Sequence, residues 1–155
     1  MDHLDTAILE MLQDGFPIAR RPYEAIGARC GVSEEEAERR TRRMLEEGVI
    51  RRLGAVVDSR ALGMVTTLVA ADVQTDAVDG VASDIDGFPE VTHSYLREGR
   101  PNLWFTLVAA SRETVDERLT EVRSLEGVLS LAEFPATRVF KLAVKVDVSR
   151  RSGTE

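Results

Sequence analysis

Val91-Thr92-His93-Ser94-Tyr95-Leu96-Arg97-Glu98-Gly99-Arg100-Pro101-Asn102-Leu103-Trp104-Phe105-Thr106-Leu107-Val108-Ala109-Ala110 decides the fold. Val91 to Arg97 and Leu103 to Ala110 are rich in β-branched, aromatic and apolar residues, and Gly99 to Asn102 between them carries turn chemistry. Two adjacent strands are therefore expected. Working outward, Ser111 caps a helix with Val115, Leu119 and Val122 on one side and a stop at Gly127. Val128 to Val148 is expected to be mainly extended, interrupted at Pro135, with a polar, frayed end from Ser149 to Glu155. On the other side of the strand pair, Val78, Val81, Ala82 and Ile85 share a helical face that ends at Gly87. Val65 to Val73 is a further apolar strand.

The order strand-helix-strand-strand-helix-strand is that of a ferredoxin-like split unit, here over residues 64–148. Its sheet needs both faces covered. Two helices serve one face, and the other is expected to meet a partner's sheet, which implies a dimer. Residues 1–58 read differently. Leu4, Ile8, Leu9 and Leu12 recur at helical spacing over 2–14. Pro22 opens a second helix with Ala25 and Ile26 inward, which Gly31 ends. Ser33 and Glu36 form a capping-box pair before a third helix with Ala37, Met44 and Leu45 inward, and Gly48 stops it. The tight Gly31-Val32 turn makes this a helix-turn-helix. Val49 to Val57, β-rich around Gly54, is expected to form a wing hairpin. The fold class is thus α/β (α+β): an N-terminal winged helix-turn-helix and a C-terminal ferredoxin-like domain.

The 155 residues carry a formal charge of −7 and a single cysteine, Cys30. One cysteine excludes an internal disulfide and a cysteine-based zinc site, and reads as a small buried helix residue. The acidic Met1 to Asp5 is unlike a secretory leader, and the longest apolar run, Val65 to Val73, cannot span a bilayer. A cytoplasmic protein without membrane attachment is expected. Two histidines, His3 and His93, exclude a multi-histidine metal centre within one chain. There is no glycine-rich phosphate loop.

Charge also bears on DNA. Up to Arg52 there are nine arginines against eleven acidic residues, and the presumed recognition helix begins Glu34-Glu35-Glu36. The start of such a helix is what enters the groove. Arg39, Arg40, Arg42 and Arg43 either touch phosphates or pair with Glu35, Glu36, Glu46 and Glu47. The acidic helix start favours pairing, so no specific DNA partner is expected.

Two clusters remain. Alternate residues of a strand share a face, so Val91, His93, Tyr95 and Arg97 point one way and Thr92, Ser94 and Leu96 the other, with Trp104 on the adjoining strand. That ribbon combines a titratable imidazole, a phenol and a fixed cation. Further on, Phe134-Pro135-Ala136-Thr137-Arg138-Val139-Phe140-Lys141 places Arg138 and Lys141 where they either complete a basic pocket or lie as solvated edge charge.

The frame from Leu4-Asp5 to Gly48-Val49-Ile50 resembles the Lrp/AsnC family, over nearly the whole chain. Four segments are similar to its siroheme decarboxylase branch: Phe16-Pro17 with Arg21-Pro22-Tyr23, Ile50 to Val56, Val91 to Glu98 with Asn102 to Thr106, and Phe134-Pro135 with Arg138 to Lys141. Where a ligand-sensing regulator has a Gly-x-Tyr-Asp-type turn, this chain has Arg100-Pro101-Asn102-Leu103-Trp104. The resemblance implies an enzyme that removes two acetate carboxyl groups from siroheme in an alternative route to haem. No cofactor is required, because the iron tetrapyrrole is itself the substrate. It implies His93, Tyr95 and Arg97 as catalytic, with His93 a proton donor or a ligand to the substrate's iron. It implies Arg51, Arg52, Asn102, Trp104, Arg138 and Lys141 as substrate-binding. Gly99 and Pro101 stand where many members carry His and Tyr. This points to a homologous sister subunit, or a second copy, as partner. The alternative class on the same fold is a transcription regulator responsive to haem.

Overall fold

Asp2 accepts a hydrogen bond from the N–H of Asp5, and the Asp5 carboxylate accepts one from the N–H of Asp2. This reciprocal cap opens α1, His3–Asp14. The computed structural model describes residues 1–142 and 145–148. α2, Pro22–Cys30, begins on its proline and ends where Gly31 takes the left-handed conformation. α3, Glu34–Glu46, is capped by Ser33, which accepts from the N–H of Glu36. The expected capping box forms only in that half, because the Glu36 carboxylate turns outward to Arg39 and Arg40. Gly27 faces the α2–α3 turn, where an added Cβ would lie 2.6 Å from the carbonyl oxygen of Val32.

Ile8, Leu9, Met11, Ile26, Ala37 and Met44 form the core of this unit, with Cys30 half-buried against it. Asp5 is 1% exposed. Its carboxylate is held by Arg40 at 2.8 Å and Arg43 at 2.7 Å, both from α3. Arg40 also grips Asp2 and Glu36. Burial works against the Asp5 charge, but the N–H of Asp2, Arg40 and the charge of Arg43 together hold its carboxyl below the ordinary aspartate value. A group depressed by folding contributes stability that is complete above its unfolded value and is lost as pH falls through the folded one. Asp5→Ala should therefore destabilise the helical unit by about 2 kcal/mol at neutral pH, and the difference from the wild type should shrink in acid. Urea denaturation followed by circular dichroism at several pH values checks both signs.

No strand is assigned between Gly48 and Val65 among the described residues, so the expected wing hairpin over Val49 to Val57 is absent. A single glycine separates two arms of about four residues, and a lone two-stranded hairpin is marginal in water. Val56 and Val57 stay exposed.

β1 (Val65–Val73), α4 (Val78–Asp86), β2 (Val91–Leu96), β3 (Leu103–Ala109), α5 (Arg112–Ser124) and β4 (Val128–Pro135) follow. They build one antiparallel sheet in the order β2-β3-β1-β4, as a split unit requires. α4 and α5 pack on one face through Val81, Ile85, Val115, Leu119 and Val122 against Val69, Phe105 and Leu107. β3 alternates strictly, Leu103, Phe105 and Leu107 buried, Trp104 and Thr106 turned to the other face. Extended structure ends at Pro135, and the run beyond it forms no strand among the described residues.

The chain separates into two compact units, Val57–Phe140 and Met1–Val56 with the segment from Lys141. The described residues beyond Lys141 thus cluster with the helices and not with the sheet domain expected to reach 148. The Gln13 side chain explains this: it donates to the Val146 carbonyl and accepts from the Val146 N–H, while Val148 packs on the helical core. The expectation for Ser149 to Glu155 lies outside the described residues.

Candidate functional site: the uncovered face of the sheet

Registry assigns each strand residue to a face, since directly opposed residues in an antiparallel pair point the same way. Tyr95 opposes Trp104 and His93 opposes Thr106, so both lie on the face away from the helices. Val91 opposes Leu107 and packs on the core. The expectation that Val91 shares the face of His93 is therefore corrected. A register shift between Val91 and His93 inserts one residue, Thr92, and reverses the phase.

His93, Tyr95 and Arg97 come together. The imidazole and phenol rings are stacked, with centroids 6.3 Å apart and planes at 18°. The Arg97 guanidinium carbon lies 5.7 Å from the Tyr95 ring centroid. Arg97 stands just past the end of β2, and its N–H closes the turn onto the carbonyl of Asn102 at 2.7 Å. The result is an exposed column of imidazole, phenol and guanidinium along one edge strand.

The neighbouring strands supply an apolar floor. Trp104 stacks on Phe134, with centroids 5.8 Å apart, across the Ala70 backbone that separates β3 from β4. Leu68, opposite both Thr106 and Phe134, is 40% exposed. The Trp104 indole N–H is already satisfied by the carbonyl of Pro101 at 3.0 Å, leaving its ring surface as the part on offer. Asn102 is a clamp: its amide accepts from the Val73 N–H and donates to the Val73 carbonyl, both at 2.9 Å, fixing the turn to β1. Arg100 is held by Asp72 on that same edge.

Arg39, Arg40, Arg42 and Arg43 are all engaged, with Glu36, Glu38, Glu47, Asp2 and Asp5. The pairing expected from the sequence holds for Glu36 and Glu47; among the described residues Glu35 makes no ion pair with these arginines, Glu46 acts on Arg42 through its charge alone, and Asp2, Asp5 and Glu38 are further partners. By contrast Arg51, Arg52, Arg97, Arg138 and Lys141 are exposed and carry no ion pair among the described residues. Arg138 lies 4.8 Å from the Phe140 ring centroid. Arg51, Arg52 and Lys141 belong to the helical unit, and Arg97 and Arg138 to the sheet unit. Thr92 and the partnership of Phe134 with Trp104 escaped sequence reasoning. Both depend on strand register, which the sequence does not print.

A helix-turn-helix joined to a split βαββαβ sheet, with aromatic and basic groups on the free sheet face, defines an AsnC-like two-unit protein. Residues 61–141 match the family of AsnC-like ligand binding domains, and residues 5–51 match the siroheme decarboxylase NirDL-like HTH domain. The siroheme decarboxylase alpha subunit of Desulfovibrio desulfuricans is 42% identical over 144 residues, 93% of this chain and 83% of that one. The siroheme decarboxylase NirG subunit of Stutzerimonas stutzeri is 31% identical over 96% of this chain and 100% of its own. The chain belongs to the siroheme decarboxylase family. Among solved structures, an AsnC family transcriptional regulator from Agrobacterium tumefaciens superposes with a TM-score of 0.81 at 22% identity, covering 98% of this chain and 100% of that one, a likeness of fold. The siroheme decarboxylase NirDL superposes at 0.68 with 26% identity, over 89% of this chain and 45% of that chain. No helix among the described residues is long and apolar enough to cross a membrane.

Proposed function

We propose that this chain is a siroheme decarboxylase subunit, a carbon–carbon lyase that removes the carboxyl groups of two acetate side chains without net oxidation. The observation that carries the reading is the His93–Tyr95–Arg97 column beside the Trp104–Phe134 stack, in an acidic chain where Arg97 and Arg138 carry no ion pair among the described residues. A tetrapyrrole offers a flat apolar ring, and its carboxylates need forked donors. Within the sheet unit the aromatic floor suits the first and Arg97 and Arg138 suit the second; Arg51, Arg52 and Lys141, on the helical unit, are proposed as further carboxylate donors. Decarboxylation at an acetate leaves an electron pair that the macrocycle can delocalise. A proton then converts the methylene into a methyl group. His93 supplies that proton or holds the substrate's iron, and Tyr95 orients it. No separate cofactor is called for.

A second chain, either a homologous sister subunit or another copy, covers the bare sheet face together with the tetrapyrrole that lies on it. The regulator reading finds less support. The arginines of α3 are occupied by carboxylates, and its first turn is Glu34-Glu35-Glu36.

Arginine-to-lysine replacement tests the reading, because it keeps the charge and removes the fork. Each desolvated charge-assisted contact is worth roughly 1.5 to 3 kcal/mol. Arg51→Lys, Arg52→Lys, Arg97→Lys and Arg138→Lys combined should weaken siroheme binding in absorbance titrations roughly 10²-fold or more, with the fold intact by circular dichroism. Unchanged affinity would remove these residues from the site. Tight, sequence-specific DNA binding at physiological salt would favour the regulator instead.

A further inference from the structure

We infer that Thr92 is a positioning residue that fixes His93 as the neutral Nδ1–H tautomer and presents the Nε2 lone pair outward. The inference rests on the proposed role of His93 for its meaning, but not for its test.

Three observations carry it. Thr92 is the extra residue of the bulge that breaks the register between Val91 and His93, and bulges re-aim side chains at strand edges. Its hydroxyl donates to the carbonyl of Thr106 on β3 at 3.5 Å. The same Oγ1 lies 3.1 Å from Nδ1 of His93. A hydroxyl has one proton and donates it once. If the proton is directed to the Thr106 carbonyl, Oγ1 meets His93 as an acceptor and Nδ1 brings the hydrogen, which is the inferred arrangement. A neutral imidazole protonated at Nδ1 carries its lone pair on Nε2. The opposite ring face is set by Tyr95, stacked at 18°. Ring plane and tautomer are thus held by two different neighbours, Tyr95 and Thr92.

The consequence is chemical. A histidine side chain free in water favours the Nε2–H form, which turns an N–H to the solvent side. Held as Nδ1–H, His93 offers a lone pair there instead. That lone pair can bind the iron of a tetrapyrrole or take up a proton and return it to carbon. The hydroxyl-to-carbonyl relay behind the ring resembles in kind the supporting hydrogen bonds that orient histidine ligands, whose loss costs roughly 10- to 100-fold in affinity or activity.

The test is nitrogen NMR of ring-labelled full-length protein, with its unlabelled sister subunit where that is needed for solubility. His3→Gln removes the other histidine, so a single imidazole is read at a pH where it is neutral. Wild-type Thr92 should give a protonated Nδ1 and an unprotonated Nε2. Thr92→Val, which keeps the shape and removes the hydroxyl, should shift the ring to the Nε2–H form, and Thr92→Ser should keep the wild-type pattern. Turnover of siroheme should fall roughly 10-fold in Thr92→Val and recover in Thr92→Ser. If Thr92→Val loses the native circular dichroism, Thr92→Ala serves in its place. A wild-type ring protonated at Nε2, or ring signals unchanged by loss of the hydroxyl, would overturn the inference. If the tautomer follows Thr92 while His93→Ala retains wild-type turnover, the inference stands and the chemical role of His93 fails.

Discussion

His93→Ala is expected to lower siroheme turnover by the assembled enzyme about 10²-fold or more, the span that a positioned proton-transfer group contributes. The residue heads the aromatic–cationic column on β2, exposed on the face that the helices leave bare. Its two possible services separate experimentally. As a proton donor it leaves binding and the bound chromophore's spectrum unchanged while turnover falls. As an iron ligand it shifts that spectrum when removed. Tyr95→Phe keeps the stacked ring on both His93 and Arg97, so it should preserve much of the arrangement that Tyr95→Ala would collapse. Wild-type turnover by His93→Ala with an unchanged spectrum would assign the chemistry to the partner chain.

Leu68→Glu is expected to separate associated chains into monomers. Leu68 stands at the centre of the uncovered face, flanked by Thr106 on β3 and Phe134 on β4. Its side chain points away from the helix-covered core, so the sheet should fold with the substitution in place. A buried apolar anchor at the middle of an interface is worth roughly 2 kcal/mol or more, and an unpaired carboxylate buried there costs further. The dissociation constant should rise about 10²-fold or more. Sedimentation at micromolar concentration reads this directly: a dimer for the wild type and a folded monomer for the variant. A variant that remains dimeric would place the interface elsewhere.

How much of this was legible in the sequence follows from which forces are local. β1 was read at its observed bounds, and the ends of α2 and α3 followed from Pro22, Gly31 and Ser33, because turn and cap chemistry acts within a few residues. β-propensity alone predicts the wing, and Val49 to Val57 does not form it, since a lone hairpin with such short arms is marginal in water. The phase of β2 was right from His93 to Tyr95 and wrong at Val91, since a bulge is a property of two strands together. Arg43 pairs with Glu47 along its own helix, as the spacing predicts, but its shorter 2.7 Å bond goes to Asp5, thirty-eight residues away. Periodicity brought His93, Tyr95 and Arg97 to one face. It could not show that Asn102 clamps β1, or that Phe134 completes a stack with Trp104.

Anaerobic incubation of siroheme with the chain, alone and with its sister subunit, followed by mass analysis of the tetrapyrrole, tests most directly whether this chain acts on siroheme. The expected result is stepwise loss of two carboxyl groups as carbon dioxide, each acetate becoming a methyl group, in at least one of the two mixtures. Siroheme recovered intact from both, with folded protein and bound pigment, would contradict it.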